Sequence, residues 1–207
     1  MTINSAARWL SMVLHPLFMP LLSLVLAFQL DFRLSFFIPP TMRWITYGMV
    51  FVMTVLFPLT STLMLIRGGM VSSLRMPERR ERIGPFIMAI LYFSLAYWLL
   101  KRNTHHEATY ALFTGGLLAL AATTVITFFW KVSVHMVGIG GLLGMLSALA
   151  WLHDSVPLWA LSIAIVLCGA LGRARLVDGG HTPGQVGAGM ALGYSSVLAC
   201  MAGSWYL

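Results

Sequence analysis

Arg175 is followed after five residues by His181, and His181 after three by Gln185, in the run Arg175-Leu-Val-Asp178-Gly-Gly-His181-Thr-Pro-Gly-Gln185. A guanidinium stays charged at any working pH and offers a planar fork of donors that fits phosphate oxygens. An imidazole can attack phosphorus or move a proton. Two more groups of this kind lie upstream. Arg75 and Arg82 bracket the charged run Arg75-Met-Pro-Glu78-Arg79-Arg80-Glu81-Arg82, and Ser133 and His135 follow Lys131. Together they hold the parts for attack on a phosphate ester. Fixed cations can neutralise the charged oxygens, a hydroxyl can donate, one imidazole can attack and another can protonate the leaving oxygen.

The elements that must position these residues are apolar. Of the 207 residues, 59% are hydrophobic and 9% charged, with mean hydropathy +0.86, against about 25% charged in soluble domains. The composition therefore predicts an all-α polytopic membrane bundle in a single domain, residues 1–207. A span needs roughly 17–25 mostly apolar residues. Seven segments qualify, at about 8–30, 45–67, 84–100, 108–130, 135–152, 156–172 and 184–206, and a six-span count fits the same pattern. The first apolar run is long and lacks a small-residue cleavage site, so it is expected to be a retained helix.

Span parity brings the clusters together. Two spans separate the Arg75–Arg82 cluster from Ser133–His135, and two more separate that pair from Arg175–Gln185. An even number of crossings returns the chain to the same side, so all three are expected at one membrane face. That face holds nine of the 13 Lys and Arg residues, and the other holds four. The positive-inside rule alone would make the richer face cytoplasmic. Setting aside Arg75, Arg82, Lys131 and Arg175 as site charges leaves five against four.

The three clusters resemble those of the type 2 phosphatidic acid phosphatase superfamily, which includes the vanadium haloperoxidases. The family pattern is K-x6-R-P, then P-S-G-H, then S-R-x5-H-x3-D. Arg75 and Arg82 keep the first spacing, with Arg for Lys and Ile83 for Pro. Ser133 and His135 match the second, with Val132 for Pro and Val134 for Gly. Arg175 and His181 match the third, with Ala174 for Ser and Gln185 for Asp. The resemblance covers residues from about 75 to 190, over half the chain.

What the resemblance implies is a metal-independent lipid phosphatase with a phosphohistidine intermediate and no cofactor. His181 would be the nucleophile, His135 the general acid, and Gln185 the orienting partner of His181. Arg75, Arg82, Ser133 and Arg175 would hold the phosphate. The substrate would be a membrane lipid: phosphatidic acid, a phosphatidylglycerol phosphate or an isoprenoid diphosphate. The family's lipid phosphatases usually open to the periplasm or lumen, so the implied place is the bacterial inner membrane with the site facing the periplasm. Gln185 is neutral where the family carries a carboxylate, and a neutral partner stabilises an imidazolium less. The alternative is therefore an attenuated or inactive relative that binds lipid headgroups, moves lipid or serves as a subunit of a membrane complex.

Other polar residues are given plainer roles. Arg79, Arg80, Glu78 and Glu81 read as a solvated, headgroup-facing loop, and Lys131 as a boundary anchor. His105, His106 and Glu107 are adjacent, point apart and fall on the opposite face, so no metal site is expected there. His15, before Pro16 inside the first span, is open to lining a cavity, but a structural role is the preferred reading. Cys168 and Cys200 lie in apolar runs and read as buried hydrophobes. The small-residue rows Gly140, Gly144, Ala148 and Gly189, Gly193 read as helix packing. Trp9, Trp44, Trp130, Trp151 and Trp205 fall near interfaces. The net charge of +7 reflects membrane topology or headgroups, and no nucleic-acid partner is expected.

Overall fold

The computed structural model describes residues 3–36, 38–74, 76–103 and 106–204. Arg75, His105 and Trp205 lie outside the described residues. In chain order the helices are α1 (Ile3–Val13), α2 (Met19–Leu30), the short α3 (Phe32–Ser35), α4 (Pro40–Phe51), α5 (Phe57–Arg67), α6 (Ile83–Arg102), α7 (Glu107–Thr127), α8 (Val134–His153), α9 (Leu158–Val177) and α10 (Pro183–Ser204). No strand occurs among the described residues. Among the described residues seven helical segments are long and apolar enough to cross a bilayer: Ala7–Leu30, Pro40–Arg67, Arg80–Arg102, Glu107–Thr127, Val134–His153, Leu158–Val177 and Pro183–Gly203. By length and composition this is an integral membrane protein. The second span starts at Pro40, earlier than composition suggests, because proline suits a first helical position where no backbone donor is needed.

Two spans are broken where the sequence forces it. His15 precedes Pro16 and takes an extended backbone, φ −67° and ψ 138°, the conformation favoured before proline, whose ring crowds the helical region of the preceding residue. A 3₁₀ turn at Pro16–Phe18 then leads into α2. In the second span a π-turn at Val52–Leu56 lets the Phe57 N–H reach the Val52 carbonyl. It precedes Pro58, which has no N–H to continue the ladder. Six threonine hydroxyls within the spans are satisfied locally. Thr46, Thr54, Thr62, Thr123, Thr124 and Thr127 each donate to the carbonyl four residues earlier, so they add no exposed polarity to an apolar bundle.

α8 is the most buried span, and α10 lies against it with the backbones almost touching. A Cβ on Gly140 would sit 2.5 Å from the Met190 carbonyl, and one on Gly144 2.5 Å from that of Tyr194. A Cβ on Gly189 would fall 2.6 Å from the Ser133 carbonyl. Only the missing side chains permit this approach. The contact also levels the two helix starts, since the Ser133 N–H donates to the Gln185 carbonyl at 3.2 Å.

The other end of the bundle is tied by a buried polar cluster. Asp31 ends the first span and pairs closely with His153 at the end of α8, both nearly inaccessible. The same carboxylate accepts from Ser155 Oγ at 3.1 Å and from the Arg33 N–H at 2.9 Å. The His106 ring stands edge-on to that of His153, with centroids 6.0 Å apart.

Candidate active site

A cavity of about 710 Å³ opens at the end of the bundle where α6, α8 and α10 begin. Arg82, Lys131, Arg175, His181 and His135 all line it. Arg82 enters from the start of the third span, His135 from the first turn of α8, and Arg175 from the last turn of α9. His181 stands in the short link to α10. That link reverses the chain at Gly179, whose φ of +70° is costly for residues with a Cβ.

The geometry about His181 defines its tautomer. Gln185 Oε1 accepts from the Thr182 N–H at 3.1 Å. Only the carbonyl end of the amide can do so, which fixes the Gln185 orientation. The same oxygen lies 3.3 Å from His181 Nδ1, so Nδ1 carries the proton and donates. Nε2 is left with its lone pair. Burial pushes the imidazole down to about 4, helped by the charges of Arg175, Arg82 and Lys131 and opposed by the Gln185 hydrogen bond. At neutral pH the ring is uncharged, with cations around it.

The cations are held by the backbone and by one another's neighbours. Arg82 Nε donates to the Met76 carbonyl at 3.1 Å, which leaves its two terminal nitrogens for the cavity. Lys131 Nζ donates to the Pro77 carbonyl at 3.3 Å. Burial, followed by the charges of Arg82 and Arg175, holds the Lys131 ammonium below its usual range. Arg175 Nη1 lies 3.4 Å from Asp178 Oδ2 and donates to Ser11 Oγ at 3.4 Å. Its Nε is buried with no hydrogen-bond partner among the described residues. A buried cationic donor without a partner suits an anionic ligand.

The structure rearranges part of the expected set. Ser133, expected to donate to phosphate, does not line the cavity. α10 lies on it at Gly189, and its fully buried Oγ has no partner among the described residues. Gln185 sits behind His181 and away from the cavity wall. Lys131, expected as a boundary anchor, lines the cavity. Asp178 pairs with Arg175 and so supplies no carboxylate to His181. Arg79 donates to the Phe129 carbonyl and Glu81 accepts from the Ser72 N–H, so both fasten the loop before α6. The Arg75 expectation lies outside the described residues.

Sequence reasoning missed Ser11 of the first span and gave second place to the cavity-lining reading of His15. Ser11 accepts from Arg175 through its hydroxyl and from His135 Nε2 through its carbonyl, the latter at 3.2 Å. His15 lines the cavity as well as shaping the bend. Its position before a proline inside an apolar run was the available signal.

Beyond these polar groups the same cavity continues between the spans. Its walls there include Phe86, Phe93, Phe113, Leu120 and Leu142. One continuous space therefore has a cationic mouth and an apolar body. Among the described residues no group of three or more His, Cys, Asp or Glu side chains is placed to hold a metal ion. No family model, curated protein or solved structure matches the chain, so its functional reading rests on the geometry of this cavity.

Proposed function

We propose that this protein is a lipid phosphatase resembling the type 2 phosphatidic acid phosphatases, acting on a phosphorylated membrane lipid without a metal. The observation that carries the reading is the single cavity with Arg82, Lys131, Arg175 and a neutral His181 at its mouth and an apolar interior. A phosphate fits the first part and a hydrocarbon chain the second. Phosphatidic acid, a phosphatidylglycerol phosphate and an isoprenoid diphosphate all have this form.

The chemistry follows from the tautomers. His181 Nε2 forms a bond to phosphorus as the bond from phosphorus to the leaving oxygen breaks. His135, neutral with its Nε2–H on the Ser11 carbonyl, takes the proton of a singly protonated phosphate on Nδ1 and passes it to the departing oxygen. Water then attacks the phosphohistidine, passes a proton through His135 to a phosphate oxygen and releases phosphate. Arg82, Arg175 and Lys131 offset the charge on the phosphoryl oxygens throughout. Gln185 holds His181 in the reactive tautomer but adds no negative charge. This favours slow turnover, or binding without turnover. The location proposed is a bacterial inner membrane, with this mouth toward the periplasm.

The test is phosphate release from a panel of lipid phosphates by purified protein in detergent with a chelator present. Release that His181→Ala abolishes supports the reading. No release from any lipid, or release unchanged in His181→Ala, overturns the enzymatic reading. Tight binding of lipid phosphates without release would then favour a headgroup-binding protein.

A further inference from the structure

Two imidazoles mark the level at which the cavity changes from cationic to apolar. Along the first span its lining runs from Arg8 and Ser11 through His15 to Met19, Pro20 and the uncharged Ser23. Along α8 it runs from Lys131 through His135 to Gly138 and Leu142. On each element the histidine is the last ionisable side chain before apolar wall. The two rings meet edge to face, with centroids 5.4 Å apart.

The tautomer of His15 is set by the bend that Pro16 imposes. Its Nδ1 accepts the Leu17 N–H at 3.3 Å, so that nitrogen carries no proton. The proton is on Nε2, at the far side of the ring. His15 is thereby a fixed, neutral hydrogen-bond donor, and a proton-transfer role would break its cap. A phosphorylated lipid with its phosphate among Arg82, Arg175 and His181 and its chain in the apolar body brings one atom to this level: the oxygen that links phosphorus to carbon.

We infer that His15 is a substrate-binding residue whose Nε2–H donates to the bridging ester oxygen of a lipid phosphate. The inference rests on the phosphate reading of the site and adds to it a contact from outside the three polar clusters. It makes the site selective for an ester over free phosphate.

The test uses the full chain in a maltoside detergent and measures the affinity of three probes. These are inorganic phosphate, dodecyl phosphate, and tridecylphosphonate, in which a methylene replaces the bridging oxygen. Wild-type protein should bind dodecyl phosphate roughly tenfold more tightly than the phosphonate, the scale of one hydrogen bond to a charged group. This comparison needs no variant. Equal binding of the two overturns the inference.

Two variants separate binding from capping. An Asn amide can replace Nδ1 as the cap acceptor, and a Gln amide can place a donor near Nε2. His15→Gln should keep the preference for dodecyl phosphate and His15→Asn should lose it, while inorganic phosphate binds both as it binds wild type. Rescue by Asn and not by Gln would make His15 a cap only, leaving the phosphate site intact and overturning the inference. Equal weakening of all three probes in His15→Asn overturns the ester assignment. If wild-type protein binds neither phosphate probe, or Arg175→Ala binds both unchanged, the phosphate reading fails and the inference with it.

Discussion

The side-chain oxygen of Gln185 lies 3.3 Å from His181 Nδ1 and also takes the Thr182 N–H, so the amide cannot turn its nitrogen toward the ring. This contact puts the proton on Nδ1 and leaves Nε2 with its lone pair, the nitrogen that attacks phosphorus in the proposed reaction. Burial, followed by the charges of Arg175, Arg82 and Lys131, holds the imidazole down to about 4, and the neutral Gln185 contact only partly opposes them.

Gln185→Glu keeps the length of the side chain and adds the missing charge at a helix start, where negative charge is favourable. His181 should titrate at a higher pH. The acid limb of any pH–rate profile should move upward, and a carbon-13 histidine titration should show the same shift. The stability effect has a definite sign. In wild type the folded value of about 4 lies below the ordinary 6.5, so the unfolded chain binds the proton more tightly. Stability from this group is lost as pH falls from about 6.5 to about 4 and is flat below. Gln185→Glu should shrink that slope in thermal unfolding measured across pH.

The α8–α10 contact should be intolerant of a single methyl group. A Cβ on Gly193 would collide with the Val137 carbonyl, which belongs to a backbone that cannot turn aside. Gly193→Ala should destabilise by about 1–3 kcal/mol, as overpacking does, and should weaken phosphate binding because both helix starts move. Gly187→Ala is the control. Nothing lies within 4 Å of its Cβ, so thermal unfolding should be unchanged or later, by up to about 1 kcal/mol.

Asp31 and His153 should matter for stability and not for phosphate. His153 ends α8, 18 residues after His135, which puts the two about 27 Å apart at 1.5 Å per residue. Asp31→Asn offers one oxygen where Ser155, Arg33 and His153 use two. Removing one partner of a buried pair costs about 3–5 kcal/mol. The expected result is a lower unfolding temperature with phosphate affinity within about twofold of wild type at temperatures where the variant is folded.

Orientation can be read by labelling. Met70 is exposed in the loop before α6, on the same end as the cavity mouth. Met70→Cys should react with a membrane-impermeant maleimide in intact cells if the mouth faces the periplasm. Reaction only after permeabilisation would place the mouth in the cytoplasm.

The seven spans, and the return of the polar clusters to one end, were legible in the sequence because both depend on local properties. Apolar run length sets the spans, and counting them sets the side. The His181–Gln185 contact was legible for the same reason, since residues four apart at a helix start are neighbours. Packing decided the rest. Ser133 is turned from the cavity because glycines let α10 lie on it. Asp31 meets His153 across 122 residues of chain, a pairing no local pattern records. His15 joins His135 because Pro16 bends the first span and α8 packs beside the bend. Which residue types the site contains was written in one dimension. Which of them share a space, and where that space becomes apolar, depended on how closely the helices pack.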